Sequence, residues 1–191
     1  CAAGFILKGF ENEGWECHGL EPNDTMASYG RNELGLDIYT GGFEDYPKNE
    51  KYDLVNMVQV LCTFHDVDQG LRTLSGLLNK EGLCMVEMWD MKSFAARIMG
   101  KYWHEYSPPS VVNWYSDKTI TQLFNYYGFE LIAQGRPYKK IKINLGITRL
   151  DETLPKFPLR KSILKFLTRT IGKYNMVYPP VDLKWYLFKK L

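Results

Sequence analysis

Residues 51–90 read KYDLVNMVQVLCTFHDVDQGLRTLSGLLNKEGLCMVEMWD, and three signals within them decide the fold. KYDLVNMVQVL (51–61) is a continuous apolar run of strand type. After it, Val67, Leu71, Leu74, Leu77 and Leu78 recur at helical spacing. GLCMVEMWD (82–90) is a second buried strand. Two strands that are apolar on both faces, joined by an amphipathic helix, describe a parallel pair with helices packed over it.

The same alternation extends upstream. FILKGFENEG (5–14) reads as a short helix with a glycine stop, and WECHGLEP (15–22) as a short strand running into a proline-marked turn. Asn23 or Asp24 caps a second helix through about Glu33, and LGLDIYTGG (34–42) is another strand ended by paired glycines. Downstream the pattern changes. A helix near Lys92 to Met99 precedes KYWHEYSPPSVVNWYS (101–116), which fits neither period and is read as a surface loop or lid. Ser116 or Asp117 caps a helix through Tyr127. GFELIAQGR (128–136) and IKINLGITRL (141–150) then read as strands, and so short a link predicts an antiparallel hairpin. A basic amphipathic helix from about Leu159 to Lys173 and a last strand, LKWYLFKK (183–190), close the chain. The fold class is α/β, a mostly parallel sheet with a late antiparallel hairpin. Residues 1–150 form the domain, and 151–191 add a basic helix and closing strand to it.

The 191 residues fit one domain, and the 45% hydrophobic and 24% charged fractions are those of an ordinary globular protein. No apolar run reaches the length of a membrane span, and CAAGFILKGF (1–10) has no basic leader, so a cytoplasmic setting is expected. Cys1, Cys17, Cys62 and Cys84 lack CxxC spacing and read as buried free thiols, with no metal site. Charge is uneven: from Gln134 onward lie fourteen of the twenty-four Lys and Arg but three of the twenty-two acids.

Open α/β sheets bind ligands at the carboxyl ends of their parallel strands, so residues just after each apolar run are the candidates. Three sets stand there. Cys1-Ala2-Ala3-Gly4-Phe5 puts small residues at a helix start, where backbone N–H groups can approach a ligand, although such an entry also serves packing alone. Glu21 ends a strand and is placed to accept hydrogen bonds from a ribose diol, or to be a solvated turn acid. Gly42, Phe43 and Glu44 can wall an adenine.

CAAGFIL (1–7), GLEP (19–22), TGGFEDYP (40–47), YDLVNMVQVL (52–61), LNKEGLCMVE (78–87) and above all GKYWHEYSPP (100–109), in this order and spacing, resemble the class I S-adenosylmethionine-dependent methyltransferases. The resemblance is strongest to the small-molecule subgroup that contains ubiquinone-biosynthesis O-methyltransferases and enzymes of surface-glycan and secondary-metabolite pathways. It implies a Rossmann-like sheet whose first strand would precede Cys1 and is absent here. It implies S-adenosylmethionine as cofactor and a small-molecule or glycan-type acceptor. Cys1, Ala2 and Gly4 would form the rest of the cofactor loop, Glu21 and Pro22 would face the ribose, Phe43 and Glu44 the adenine beside Gly42, and Met57, Val58 and Gln59 the cofactor's other side. Where relatives commonly carry Glu-His pairs this chain has Cys62-Thr63 and Ser110-Val111, so roles tied to those histidines do not transfer.

Among His65, Asp66, His104, Glu105 and Tyr106, the lid residues His104 and Tyr106 are the candidates for catalysis, with packing or substrate binding as their other reading. A nicotinamide-dependent oxidoreductase is the enzyme alternative, disfavoured by the missing G-x-G-x-x-G spacing. A catalytically silent binding module is the other. For the basic helix, a cover helix with solvated lysines stands against a peripheral contact with an anionic membrane. No nucleic-acid partner is expected, because the tail's aromatics do not interleave with its charges. Oligomeric state stays open.

Overall fold

The computed structural model describes residues 1–191 apart from 44, 45, 47–49, 138, 145, 146, 149–158 and 179–181. Its first unit is small. Helix α1 (Phe5–Asn12) follows the opening loop, and strand β1 (Gly19–Glu21) leads into α2 (Asp24–Leu34). The Asn23 side chain accepts the Met26 N–H, and Gly35 takes the left-handed conformation that ends α2. Strand β2 (Ile38–Thr40) pairs in parallel with β1, Leu20 opposite Tyr39.

The larger unit is built on the stretch that opened the reading. Strand β3 (Tyr52–Val58), helix α3 (Val67–Leu77, capped by Asp66 on the Gln69 N–H) and strand β4 (Leu78–Trp89) form the expected parallel pair, Met57 opposite Val86. After α4 (Phe94–Met99) and the irregular segment comes α5 (Asp117–Tyr126), whose start is a capping box between Ser116 and Thr119. Strands β5 (Phe129–Gly135) and β8 (Leu183–Lys190) complete a sheet of order β3-β4-β8-β5, in which β8 runs antiparallel to both neighbours.

Antiparallel strands are present, but among the described residues β5 does not pair with the segment that follows it. β5 pairs with β8, while β6 (Lys139–Lys142) pairs with β7 (Asn175–Tyr178) in a ribbon of its own. Burial accounts for the choice. Strand β8 buries Leu183, Tyr186 and Phe188 and pairs its own lysines, Lys184 with Asp90 and Asp117 and Lys190 with the Ser75 and Leu78 carbonyls, as a charge in a central strand requires. Helix α6 (Arg160–Thr170) lies between β6 and β7 in the chain. Among the described residues no strand joins β1 to β3. The units meet through His18, whose ring lies edge-on to Tyr52 and within 3.4 Å of Glu50 and 3.5 Å of Asp37.

One core serves the four-stranded sheet. Leu71 and Leu74 of α3 and Ile120 and Phe124 of α5 pack on Cys84, Val86, Tyr186 and Phe188, with Phe124 stacked on Phe188 at 4.0 Å. Each such side chain contributes about 1.5–3 kcal/mol through burial. Cys62 and Cys84 are buried free thiols, as the sequence suggested; Cys1 is exposed and Cys17 half-buried.

Candidate functional site

The loop before α1 turns tightly. The Gly4 N–H donates to the Cys1 carbonyl at 3.0 Å, and Ala2 and Gly4 take φ of 50° and 84°. Gly4 is needed there for space as well as for its φ, since a Cβ would lie 2.5 Å from Leu36 Cδ1. Gly30 of α2 plays the same part beneath, where a Cβ would meet Ile38 Cδ1 at 2.3 Å and the Ala3 carbonyl oxygen at 3.0 Å. The loop therefore rests directly on β2 and α2.

Glu21 joins this loop to the end of β1. Its Oε2 accepts from the Ala2 N–H at 2.7 Å and from the terminal ammonium of Cys1 at 3.1 Å, and its Oε1 accepts from the Asn23 N–H at 3.0 Å. Burial alone would raise its pKa, but the hydrogen bonds from Asn23, the Cys1 ammonium and Ala2, with the charge of that ammonium, outweigh it and hold the carboxyl below the usual Glu range. A carboxylate offers about four acceptor positions, so three donors leave one on Oε1 for an incoming hydroxyl.

Cys1, Ala2, Gly4 and Glu21 are thus brought together, with Pro22 exposed beside them and Gly42 close by in sequence to Gly41, whose N–H donates to the Glu21 carbonyl. Phe43 stacks on Phe64 at 5.3 Å. Glu44 lies outside the described residues. At the end of β3, Met57 is buried in the core and can offer a ligand only its backbone, Val58 is half-buried, and Gln59 is exposed with φ 57°, its N–H bound to the Glu87 carbonyl.

The irregular segment is a strap pinned over the carboxyl ends of β3 and β4. Val112 and Asn113 N–H groups both donate to the Cys62 carbonyl, and the Asn113 side chain donates to the Phe64 carbonyl at 2.6 Å. Trp103, 1% exposed, donates its Nε1–H to the Asp182 carboxylate at 3.1 Å. Trp103 is accordingly an anchor. Tyr106, 43% exposed, stands edge-on between Trp103 and Trp114, and Trp114 donates to the Glu105 carbonyl. His104 lies edge-on to Trp89 at 4.6 Å and 3.5 Å from Glu105 Oε1.

Glu105, part of the strap itself, has its carboxyl raised above the ordinary Glu range, by burial first and by the charge of Asp182 second. Burial, with the Glu105 charge added, pushes the Cys62 thiol up to about 11. Cys62 is therefore a neutral thiol at physiological pH. His65 is exposed near the start of α3. Among the described residues no group of three or more His, Cys, Asp or Glu side chains could hold a metal ion.

Two features escaped the sequence reading. Asp182 supports the strap from 79 positions away in the chain. Lys184 on β8 reaches Asp117 at 2.6 Å and Asp90 at 3.2 Å, while the Tyr186 hydroxyl donates to Asp117. Burial would raise the Asp117 pKa, but bonds from Lys184 and Tyr186 override it and lower it. No spacing rule links partners so far apart; the sole signal was a lysine inside the apolar run LKWYLFKK.

Comparison with known proteins places this geometry. A family model described as a methyltransferase domain matches residues 1–134. A ubiquinone biosynthesis O-methyltransferase from Rhodopseudomonas palustris (strain BisB5) is 26% identical over 129 residues, covering 63% of this chain and 50% of that protein. The chain thus spans about half the length of the curated relative it matches. Among solved structures, an S-adenosylmethionine-dependent methyltransferase from Thermotoga maritima superposes with a TM-score of 0.62 at 21% identity, over 100% of this chain and 78% of its own. The magnesium protoporphyrin IX methyltransferase of Synechocystis PCC 6803, solved with S-adenosylhomocysteine, gives 0.64 at 11% identity, over 100% and 71%.

Proposed function

Because the chain belongs to the class I S-adenosylmethionine-dependent methyltransferases, whose domain model matches residues 1–134, we propose that it transfers the methyl group of S-adenosylmethionine to a small-molecule or glycan-type acceptor. The family membership removes the nicotinamide-dependent alternative. The observation that carries the proposal is the Glu21 cradle: an ionised carboxylate with one acceptor position left, fixed beside a loop that glycines press against α2 and β2. It suits a ribose diol, and Phe43 and the backbone of Met57, Val58 and Gln59 are the residues to flank the rest of the cofactor.

S-adenosylmethionine supplies a methyl group on a positively charged sulfur. What remains for the chain is to align the acceptor in line with it, about 3 Å away, and to keep water out. The strap suits both tasks. Trp103 and Asp182 fix it, leaving Tyr106, Trp114 and His104 as an aromatic surface for the acceptor. Where the acceptor must lose a proton, His104 and Glu105, 3.5 Å apart, are the groups that take it. The test is transfer of a labelled methyl group to a panel of phenols, amines and sugar nucleotides. Transfer to members of the panel supports the reading; binding of S-adenosylhomocysteine with no transfer to any acceptor would leave a silent binding module instead.

A further inference from the structure

Helix α6 carries an apolar stripe that the fold leaves uncovered. Leu159, Ile163 and Phe166 follow one another at helical spacing along one narrow arc, and they are 65%, 46% and 66% exposed. The helix is held to the protein by another side, where Leu164 is buried. A helix that merely covered the domain would turn the stripe inward and its polar residues outward. Here both the stripe and a row of cations face solvent: Lys161, Lys165 and Arg169, about one turn apart and all exposed, lie roughly a third of the way around the helix from it, with Arg169 nearest. No acid occurs from Arg160 to Tyr174, and at the helix end Lys173 lies over the ring of Tyr174, itself 56% exposed.

We infer that α6 is a docking surface for an anionic lipid bilayer, with Leu159, Ile163 and Phe166 in the boundary between headgroups and acyl chains and Lys161, Lys165 and Arg169 against the lipid phosphates. The charge pattern selects this occupant. A second copy docked stripe to stripe by a two-fold axis would bring the same cationic rows together and be repelled. Nucleic acid would be met by aliphatic side chains where a strand needs stacking rings. An anionic bilayer satisfies both features at once: it takes apolar side chains a short way in and attracts cations at its surface. No helix among the described residues is long and apolar enough to cross a membrane, so this attachment would be peripheral and reversible.

The experiment is sedimentation of the full chain with vesicles of phosphatidylcholine alone and with about 30% phosphatidylglycerol added, at salt from about 0.05 M to about 0.5 M. Binding is expected to the anionic vesicles only and to fade as salt rises. The double substitution Lys161→Glu with Lys165→Glu should lower partition at least about twentyfold, since each basic residue near such a surface is worth about fivefold. Ile163→Ser with Phe166→Ser should lower it while leaving the salt dependence in place. Thermal melts matching the parent show that both variants are folded, as exposed positions allow. The inference is overturned if the chain stays in the supernatant at low salt, if neutral vesicles bind it equally, if neither variant differs from the parent, or if Phe166→Ser instead converts a dimer to a monomer.

Discussion

Replacing Glu21 by Ala removes the acceptor of three main-chain donors, the terminal ammonium of Cys1 and the N–H groups of Ala2 and Asn23, and the one acceptor position left for a ribose hydroxyl. The backbone groups lie at the surface and can turn to water, so the fold should lose little. The cofactor cannot recover its contact as easily. A hydrogen bond to a charged group is worth about 1.5–3 kcal/mol, which predicts about a tenfold to hundredfold rise in the S-adenosylhomocysteine dissociation constant. Glu21→Gln, which keeps an acceptor oxygen but loses the charge, should fall between. Because the folded-state pKa is below that of an unfolded Glu, the carboxylate is ionised throughout the neutral range. Its contribution is present above the unfolded pKa and lost as pH falls through the folded value. Isothermal titration calorimetry of parent and variants from pH 5 to pH 8, numbers chosen to bracket only conditions with Glu21 ionised, should show a constant ratio of about tenfold or more. An unchanged dissociation constant in Glu21→Ala would refute the assignment.

Other substitutions probe the remaining parts. Gly4→Ala forces a side chain into left-handed backbone 2.5 Å from Leu36 Cδ1, and should cost about 1–2 kcal/mol in urea unfolding while also weakening cofactor binding. Tyr106→Ala should change the acceptor KM and leave S-adenosylhomocysteine affinity unaltered; the opposite pattern would move the strap to the cofactor side. Lys184→Met strips Asp90 and Asp117 of their shared cation. With Asp117 about half exposed, the expected loss is about 1–3 kcal/mol rather than the full value of a buried pair. The lowered Asp117 pKa stabilises the parent above the unfolded Asp value and ceases to as pH falls through the folded one, so the acid limb of the stability curve should flatten in Lys184→Met.

What the sequence disclosed was local. Asn23 and Ser116 announced the starts of α2 and α5 because a cap bonds within three residues of itself. The apolar runs of β3 and β4 were equally plain, since two-sided burial leaves no polar alternation to confuse. The pairing of β5 was hidden. The true partner lies about fifty residues on, so proximity pointed to the wrong neighbour. The site divides in the same way. Glu21 was legible from its place at a strand end, but its backbone donors come from 19 and 20 residues away. Asp182 beneath Trp103 had no local signal, because a buried carboxylate is defined by what packs around it. Met57 was placed on the cofactor's side by the family resemblance, yet strand alternation turns its side chain into the core.

The most direct test of methyltransferase function is a calorimetric titration of the protein with S-adenosylhomocysteine and, separately, with a nicotinamide dinucleotide. Saturable one-to-one binding of S-adenosylhomocysteine, competed by S-adenosylmethionine and absent for the dinucleotide, is the predicted result. Binding of the dinucleotide without S-adenosylhomocysteine would contradict it.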